Sequence, residues 1–323
     1  MAIFSGREVA IGFAKEAVRG TWLTPVYWVP RVEGDLDNQF QIIEDNRSFG
    51  TLDDVVGAAK NKQWMEGAFT GNLGDTTFGL LLKSLFGTEA ISSAIQTVVY
   101  EHTFTLQTSA QHPSLSITKK DPVRTFGFTK CMITSLEIEC SVDDYVRFTV
   151  GFRGLLGTAQ SASVSYTSDN LFTRSMTTLG RAGTLAGLSS ATAVNVKSFK
   201  VTFTPNVVDD DILGSASPND FLNTNFRVEG EFELKYEDDT FHDFVNNQTA
   251  TYYRLLLTNP TTIGSSENPS LQLDFVNCKQ ESWARTDENN DIVGQSIKIV
   301  PKYNSTDTFA VRAILTNLRN TVY

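Results

Sequence analysis

Apolar and polar side chains alternate along most of this 323-residue chain, the period-2 signature of strands with one packed and one wet face. In residues 145–152, Val146, Phe148, Val150 and Phe152 alternate with Tyr145, Arg147, Thr149 and Gly151. In residues 225–236, Phe226, Val228, Phe232 and Leu234 oppose Arg227, Glu229, Glu231, Glu233 and Lys235. A strand is also expected from Gln63, with Trp64, Glu66, Ala68 and Thr70 on alternate positions. Similar rhythm predicts strands at 98–106, 114–118, 124–139, 194–203, 252–257, 270–284, 295–300 and 309–315. Antiparallel pairing with one side packed is the simplest arrangement.

Two segments break the rhythm. Phe78, Leu81, Leu82, Leu85 and Phe86 make one helical stripe, with Asp75 or Thr76 as the expected cap and Gly87 as the stop. Residues 240–247 predict a second short helix. Residues 1–60 read as irregular, punctuated by Pro25, Pro30, Gly34 and Gly50. From Gly154 to Thr192 small residues dominate, so this stretch reads as a linker or arm that Leu171, Phe172 and Met176 could anchor on a neighbour.

The elements recur in order. Glu66-Gly67 and Glu229-Gly230 lie 163 residues apart, as do Thr77-Phe78 and Thr240-Phe241. Pro113-Ser114-Leu115 recurs as Pro269-Ser270-Leu271 at 156, and Phe128-Thr129-Lys130-Cys131 as Phe275-Val276-Asn277-Cys278 at 147. Ser135-Leu136 and Asp144 are matched by Ser282-Trp283 and Asp291 at the same 147. The shared order predicts a duplication. It gives a first β-domain over 1–155, a linker or arm over 156–192 and a second β-domain over 193–323. Each is expected to be a β-sandwich or barrel-like unit with a short helix on its sheet, and each open sheet edge could be satisfied by the next unit in a ring.

Composition narrows the function classes. A formal net charge of -10 argues against nonspecific phosphate binding by the whole surface. No stretch approaches the length of a membrane span or an export signal, so cytosolic production and no membrane binding are expected. Cys131, Cys140 and Cys278 form no Cys-x-x-Cys pair and read as reduced thiols. His102, His112 and His242 lack metal-ligand spacing, and Asp209-Asp210-Asp211 reads as a solvated turn rather than a calcium loop. No phosphate loop, dinucleotide fingerprint or nucleophile elbow occurs. Neither catalytic nor metal residues nor a cofactor are therefore assigned.

With the repeat in view, the chain resembles the major tail tube proteins of long-tailed, non-contractile bacteriophages, in the form with two fused tube domains. Gly20-Thr21 and Pro25 to Pro30 are similar to the family's opening, and Trp64, Glu66-Gly67, Thr70-Gly71 and Gly79 to Gly87 to its first wall strand and helix. Val228-Glu229-Gly230 and Asp238 to Phe244 match the second version.

The resemblance implies stacked rings around a channel that conducts DNA into the host, assembled in the host cytoplasm. A pseudo-sixfold trimer is favoured and a hexamer is the alternative. The tape-measure protein and then DNA would pass through the lumen, with terminator and baseplate proteins at the tube ends. Tube wall candidates are Lys62, Trp64, Glu66, Gly67, Thr70, Arg227, Glu229, Gly230, Glu231, Glu233 and Lys235. Contacts between rings fall to a loop around Arg31, Glu33, Asp35, Asp37, Phe40 and Phe49, or to Leu171 and Phe172. A terminator or baseplate-proximal ring protein, and a carbohydrate-binding β-module, are the competing readings.

Overall fold

The computed structural model describes residues 3–96, 98–141, 143–286 and 292–323. Its strands are β1 (Ala10–Lys15), β2 (Tyr27–Val29), β3 (Arg31–Asp45), β4 (Gly57–Asn72), β5 (Gly87–Ile91), β6 (Tyr100–Leu106), β7 (Leu115–Lys120), β8 (Thr125–Cys140) and β9 (Arg147–Gly154). They continue with β10 (Thr158–Ala159), β11 (Thr177–Ala182), β12 (Thr192–Val194), β13 (Val196–Asp210), β14 (Asp220–Lys235), β15 (Thr251–Thr258), β16 (Ser270–Thr286), β17 (Gly294–Val300) and β18 (Val311–Asn317). Helix α1 (Phe78–Phe86) follows β4 and α2 (Thr240–Asn246) follows β14. The fold is mainly β, with helices beside sheets, as the alternation predicts.

One long antiparallel sheet runs β3-β4-β9-β8-β13-β14-β17-β16. Two further antiparallel sheets, β2-β1-β7-β8-β10 and β12-β11-β15-β16-β18-β6-β5, supply the other side of the core. Phe69, Phe148, Val201, Phe232 and Ile297 from the long sheet bury with Phe13, Ile117, Tyr253, Leu273 and Leu315 from the others in one cluster.

The sequence offsets return as backbone geometry. β8 pairs with β7 up to Cys131 and with β9 from Met132; β16 pairs with β15 up to Cys278 and with β17 from Lys279. At each changeover one non-glycine residue is left-handed, Lys130 (φ 50°) and Asn277 (φ 48°), a conformation uncommon enough to mark a built bend. One register shift follows at Ile133/Ser135 and its counterpart at Gln280/Ser282. The hairpins β3-β4 and β13-β14 also match. Their first bulges lie opposite Thr70/Gly71 and Glu233/Leu234, 163 residues apart.

Three expectations need correction. Residues 1–60 are not irregular, because β1, β2 and the long β3 lie there. Arg31, Glu33, Asp35, Asp37 and Phe40 therefore belong to a strand, and only Phe49 lies in the connection to β4. β3 does alternate, with Val32, Leu36, Phe40 and Ile42 set against Glu33, Asp35, Asp37, Gln39 and Gln41, but Gly34 and Asn38 interrupt its apolar side and only Leu36 is buried.

The small-residue stretch carries β10, β11 and β12, which add to sheets whose large side chains come from elsewhere. The α1 cap also comes from that stretch. The Asp169 carboxylate accepts from the Thr76 N–H (2.6 Å), the Thr77 N–H (3.3 Å) and the Thr77 hydroxyl (2.6 Å), while Asp75 instead accepts from Asn170. The Asp291 half of the repeat lies outside the described residues.

Candidate assembly surfaces

Strand alternation sorts the long sheet into an apolar face on the core and a polar face in water. Register places Lys62, Trp64, Glu66 and Thr70 of β4 on the polar side with Arg227, Glu229, Glu231, Glu233 and Lys235 of β14. Gly67 and Gly230 point the other way. A side chain on Gly67 would strike the Asp35 carbonyl at 2.2 Å, whereas one on Gly230 would meet the Phe232 and Ile299 side chains at 2.9–3.0 Å. The glycines are thus close-approach positions behind the polar face, not members of it.

The polar face is a lattice of opposite charges. Around β4, the Trp64 indole N–H donates to Glu66 (2.7 Å), Arg153 of β9 donates to the same carboxylate (3.0 Å), and the guanidinium lies 5.0 Å from the Trp64 ring centre. Asp209 of β13 accepts from Lys62 (2.6 Å) and Arg153 (2.7 Å), and Lys62 also pairs with Asp211. Burial opposes the Asp209 charge, but hydrogen bonds from Arg153 and Lys62 outweigh it and hold the carboxyl below its usual range. The acidic triplet read as a solvated turn is therefore tied to cations of the first half.

Around β14, Glu229 pairs with Lys298 of β17 (2.7 Å) and with Arg227, and these bonds lower its carboxyl, Lys298 contributing most. Arg227 also reaches Glu281 (3.3 Å), Ser198 donates to Glu233 (3.0 Å), and Lys200 pairs with Glu137 across the β8–β13 junction (2.9 Å). Between these clusters the carboxylates Glu33, Asp35, Asp37, Glu137, Glu139 and Glu231 tip the face toward negative charge.

Among the described residues the sheet ends in two strand edges. β3 pairs only with β4, and residues 279–286 of β16 pair only with β17 among the described residues. At the β3 edge the Leu36 and Asn38 N–H groups donate to the Asp35 and Asp37 carboxylates (2.8 Å each). Lys119 donates to the Leu36 carbonyl (3.1 Å) and to Asp35 (2.8 Å). The chain's own side chains thus hold the groups that a neighbouring strand would use, one way of blunting an exposed edge.

Beyond the edge, the β3-β4 hairpin exposes Phe40, Ile42, Ile43, Phe49 and Leu52, the last with no cover at all (106%). Arg31 donates to the Val9, Gly34 and Gly6 carbonyls, tying the hairpin base to the N-terminal segment. Phe172 is fully buried in its own chain's core, and Leu171 bridges Gly74 and accepts from Asn259 (2.7 Å). Phe172 is thus withdrawn from the surface, whereas the Leu171 side chain stays partly exposed.

The described residues hold no cluster of three or more His, Cys, Asp or Glu able to bind a metal. His102 is buried on Glu89 (2.8 Å), His112 lies between the Leu85 and Gln107 carbonyls, and His242 meets the Trp283 ring edge-on (4.8 Å between ring centres). All three cysteines are free and buried. No described helix is long and apolar enough to cross a membrane.

Comparison with curated proteins finds no match. The profile of the family described as "Phage tail tube protein" matches residues 6–296, from before β1 into β17 and so across both open edges. The chain therefore belongs to the phage tail tube family, as a structural protein of the virion tail that assembles with itself into a tube.

Proposed function

We propose that three copies close their long sheets into one ring, that rings stack into the tube, and that the polar sheet face lines a channel for DNA. The observation that carries this reading is the β8–β13 junction, where the first half's strand edge meets the second half's inside one chain. Matching registers in the two halves support 1–155 and 193–323 as equivalent tube units, each standing where one single-domain subunit would.

Size favours three. Three eight-stranded runs, at roughly 4.8 Å spacing and about 40° tilt, close at a backbone radius of about 24 Å. Side chains then leave a channel about 35 Å wide, room for a duplex roughly 20 Å across with water and ions around it. Six copies would open it to about 85 Å by the same geometry. The negative excess on the polar face supports a lumen that repels phosphates, so that a tape-measure protein and then DNA pass without sticking.

The exposed apolar β3-β4 tip is the contact to the next ring, and terminator and baseplate proteins meet the tube ends. Assembly takes place in the host cytoplasm, and the tail is long and non-contractile. Electron microscopy of concentrated protein tests the reading: top views should show threefold rings with a channel near 35 Å. Sixfold rings of whole chains, or particles that stay monomeric at every concentration and salt, would overturn it.

A further inference from the structure

The internal junction carries more than a copy number. Because the two halves repeat in register, β8–β13 is a worked example of how the chain's free edges meet, and it can be transposed residue by residue. In the chain, Phe199 to Phe203 of β13 pair with Cys140 to Leu136 of β8, and Thr202 faces Glu137. The hairpin registers equate Val201 with Leu36, since each stands opposite the glycine of its own hairpin, Gly230 and Gly67. The β8-β9 and β16-β17 registers equate Glu137 with Ala284 through the shared bulge.

Resting on the tube reading, we infer that residues 283–286 of one copy pair antiparallel with residues 35–38 of the next, Ala284 opposite Asp37 and Arg285 opposite Leu36. The backbone supports this register from an independent side. Val201 and Phe203, the counterparts of Leu36 and Asn38, lie in the ladder that joins the halves. Leu36 and Asn38 carry the temporary bonds to Asp35, Asp37 and Lys119 instead. A second copy replaces those side chains with backbone. Asp37 and Ala284 both lie on the polar face, so their side chains meet on the same side of the new pair.

Cysteine pairing tests the register. Directly opposite residues hold their Cβ atoms about 5 Å apart and a disulfide spans about 4 Å, while a two-residue slip leaves about 7 Å or more. A chain carrying Asp37→Cys and Ala284→Cys, assembled and mildly oxidised, should run on non-reducing gels as covalent dimers and closed trimers. More than about half should be linked, against under about a tenth for Asp35→Cys or Gln39→Cys with Ala284→Cys. Glu137→Cys with Thr202→Cys is the internal standard and should close within one chain. The native cysteines are buried and do not compete.

Rings that form without the predicted link while the standard closes, or links only in a slipped pair, overturn the register and leave the tube reading standing. Absence of rings for the unsubstituted protein overturns the tube reading and the register with it. Hydrogen exchange on the unsubstituted protein is the second measurement, should the variants misfold. Peptides covering 35–38 and 283–286 should slow together, at least about tenfold, on ring formation; rings with either peptide unchanged overturn the pairing.

Discussion

Helices α1 and α2 follow equivalent strands, yet one is interior and the other half bare. Every residue of α1 except Lys83 is buried, and Phe86 packs at 5.8 Å from Phe203 and 5.7 Å from Phe226, both in the second half. In α2 only Phe241 is buried, while Phe244 and Val245 are half-exposed. The difference follows from position: second-half side chains pack on α1, whereas among the described residues the outer side of α2 meets only single side chains such as Arg181, 5.0 Å from the Phe244 ring centre. The same contrast separates β13, paired on both sides, from β3, paired on one. An isolated chain is finished at its centre and unfinished at its ends.

The largest expected effect breaks this contrast at α1. Phe86→Ala should cost about 3–5 kcal/mol and Phe244→Ala about 1 kcal/mol or less in chemical unfolding of the monomer; equal costs would remove the distinction. Next comes the glycine pair. Gly67→Val forces β3 away from β4 and should cost about 3 kcal/mol, whereas Gly230→Val displaces side chains and should cost about 1–2 kcal/mol. Comparable losses would mean that β3 yields as readily as a side chain.

The tie between the halves is charged and should fail in acid. Arg19 donates to Asp220 (2.8 Å) and to the His112 and Phe221 carbonyls (2.7 and 2.8 Å). Burial raises the Asp220 carboxyl, but hydrogen bonds from Gln111, Arg19 and the Phe221 N–H more than offset this and leave it lowered. A lowered carboxyl stabilises fully above its unfolded value of about 3.9 and loses that contribution as pH falls through the folded value. Stability should therefore drop below about pH 4, and Asp220→Asn, costing about 1–3 kcal/mol at pH 7, should make the drop shallower.

The smallest effect sharpens the equivalence. Cys131 and Cys278 are fully buried, with Sγ 3.7 and 3.9 Å from the carbonyl two residues back, and burial pushes both thiols well up. Cys131→Ser and Cys278→Ser should each cost about 1–2 kcal/mol, with values within about 0.5 kcal/mol of each other. Neither thiol should react with a disulfide reagent at pH 8 before unfolding.

Much of this was legible in the sequence because strands with one buried face advertise themselves. Arg227, Glu229, Glu231, Glu233 and Lys235 share one face by simple alternation, and Phe-x-x-Cys is legible as a repeat, although nothing in it predicts the left-handed bends at Lys130 and Asn277. β3 was passed over because Gly34 and Asn38 interrupt the alternation of Val32, Leu36, Phe40 and Ile42, and an outer strand buries only one of these, Leu36. β10 to β12 were hidden because they are short and give the core only Leu179 and Val194, too few large side chains to show a rhythm. The partners of the polar-face residues, Arg153, Asp209 and Lys298, come from distant strands, and no local pattern predicts such ion pairs. The Asp169 cap on α1 was missed for the same reason.

The bends at Lys130 and Asn277 also have a mechanical side. β8 and β16 each begin in one of the smaller sheets and end in the long one without a break in the chain. A radial load on the long sheet is therefore carried partly along covalent backbone into the sheets behind it. Peeling those layers apart requires pulling strands lengthwise, shearing many hydrogen bonds at once rather than opening them one by one.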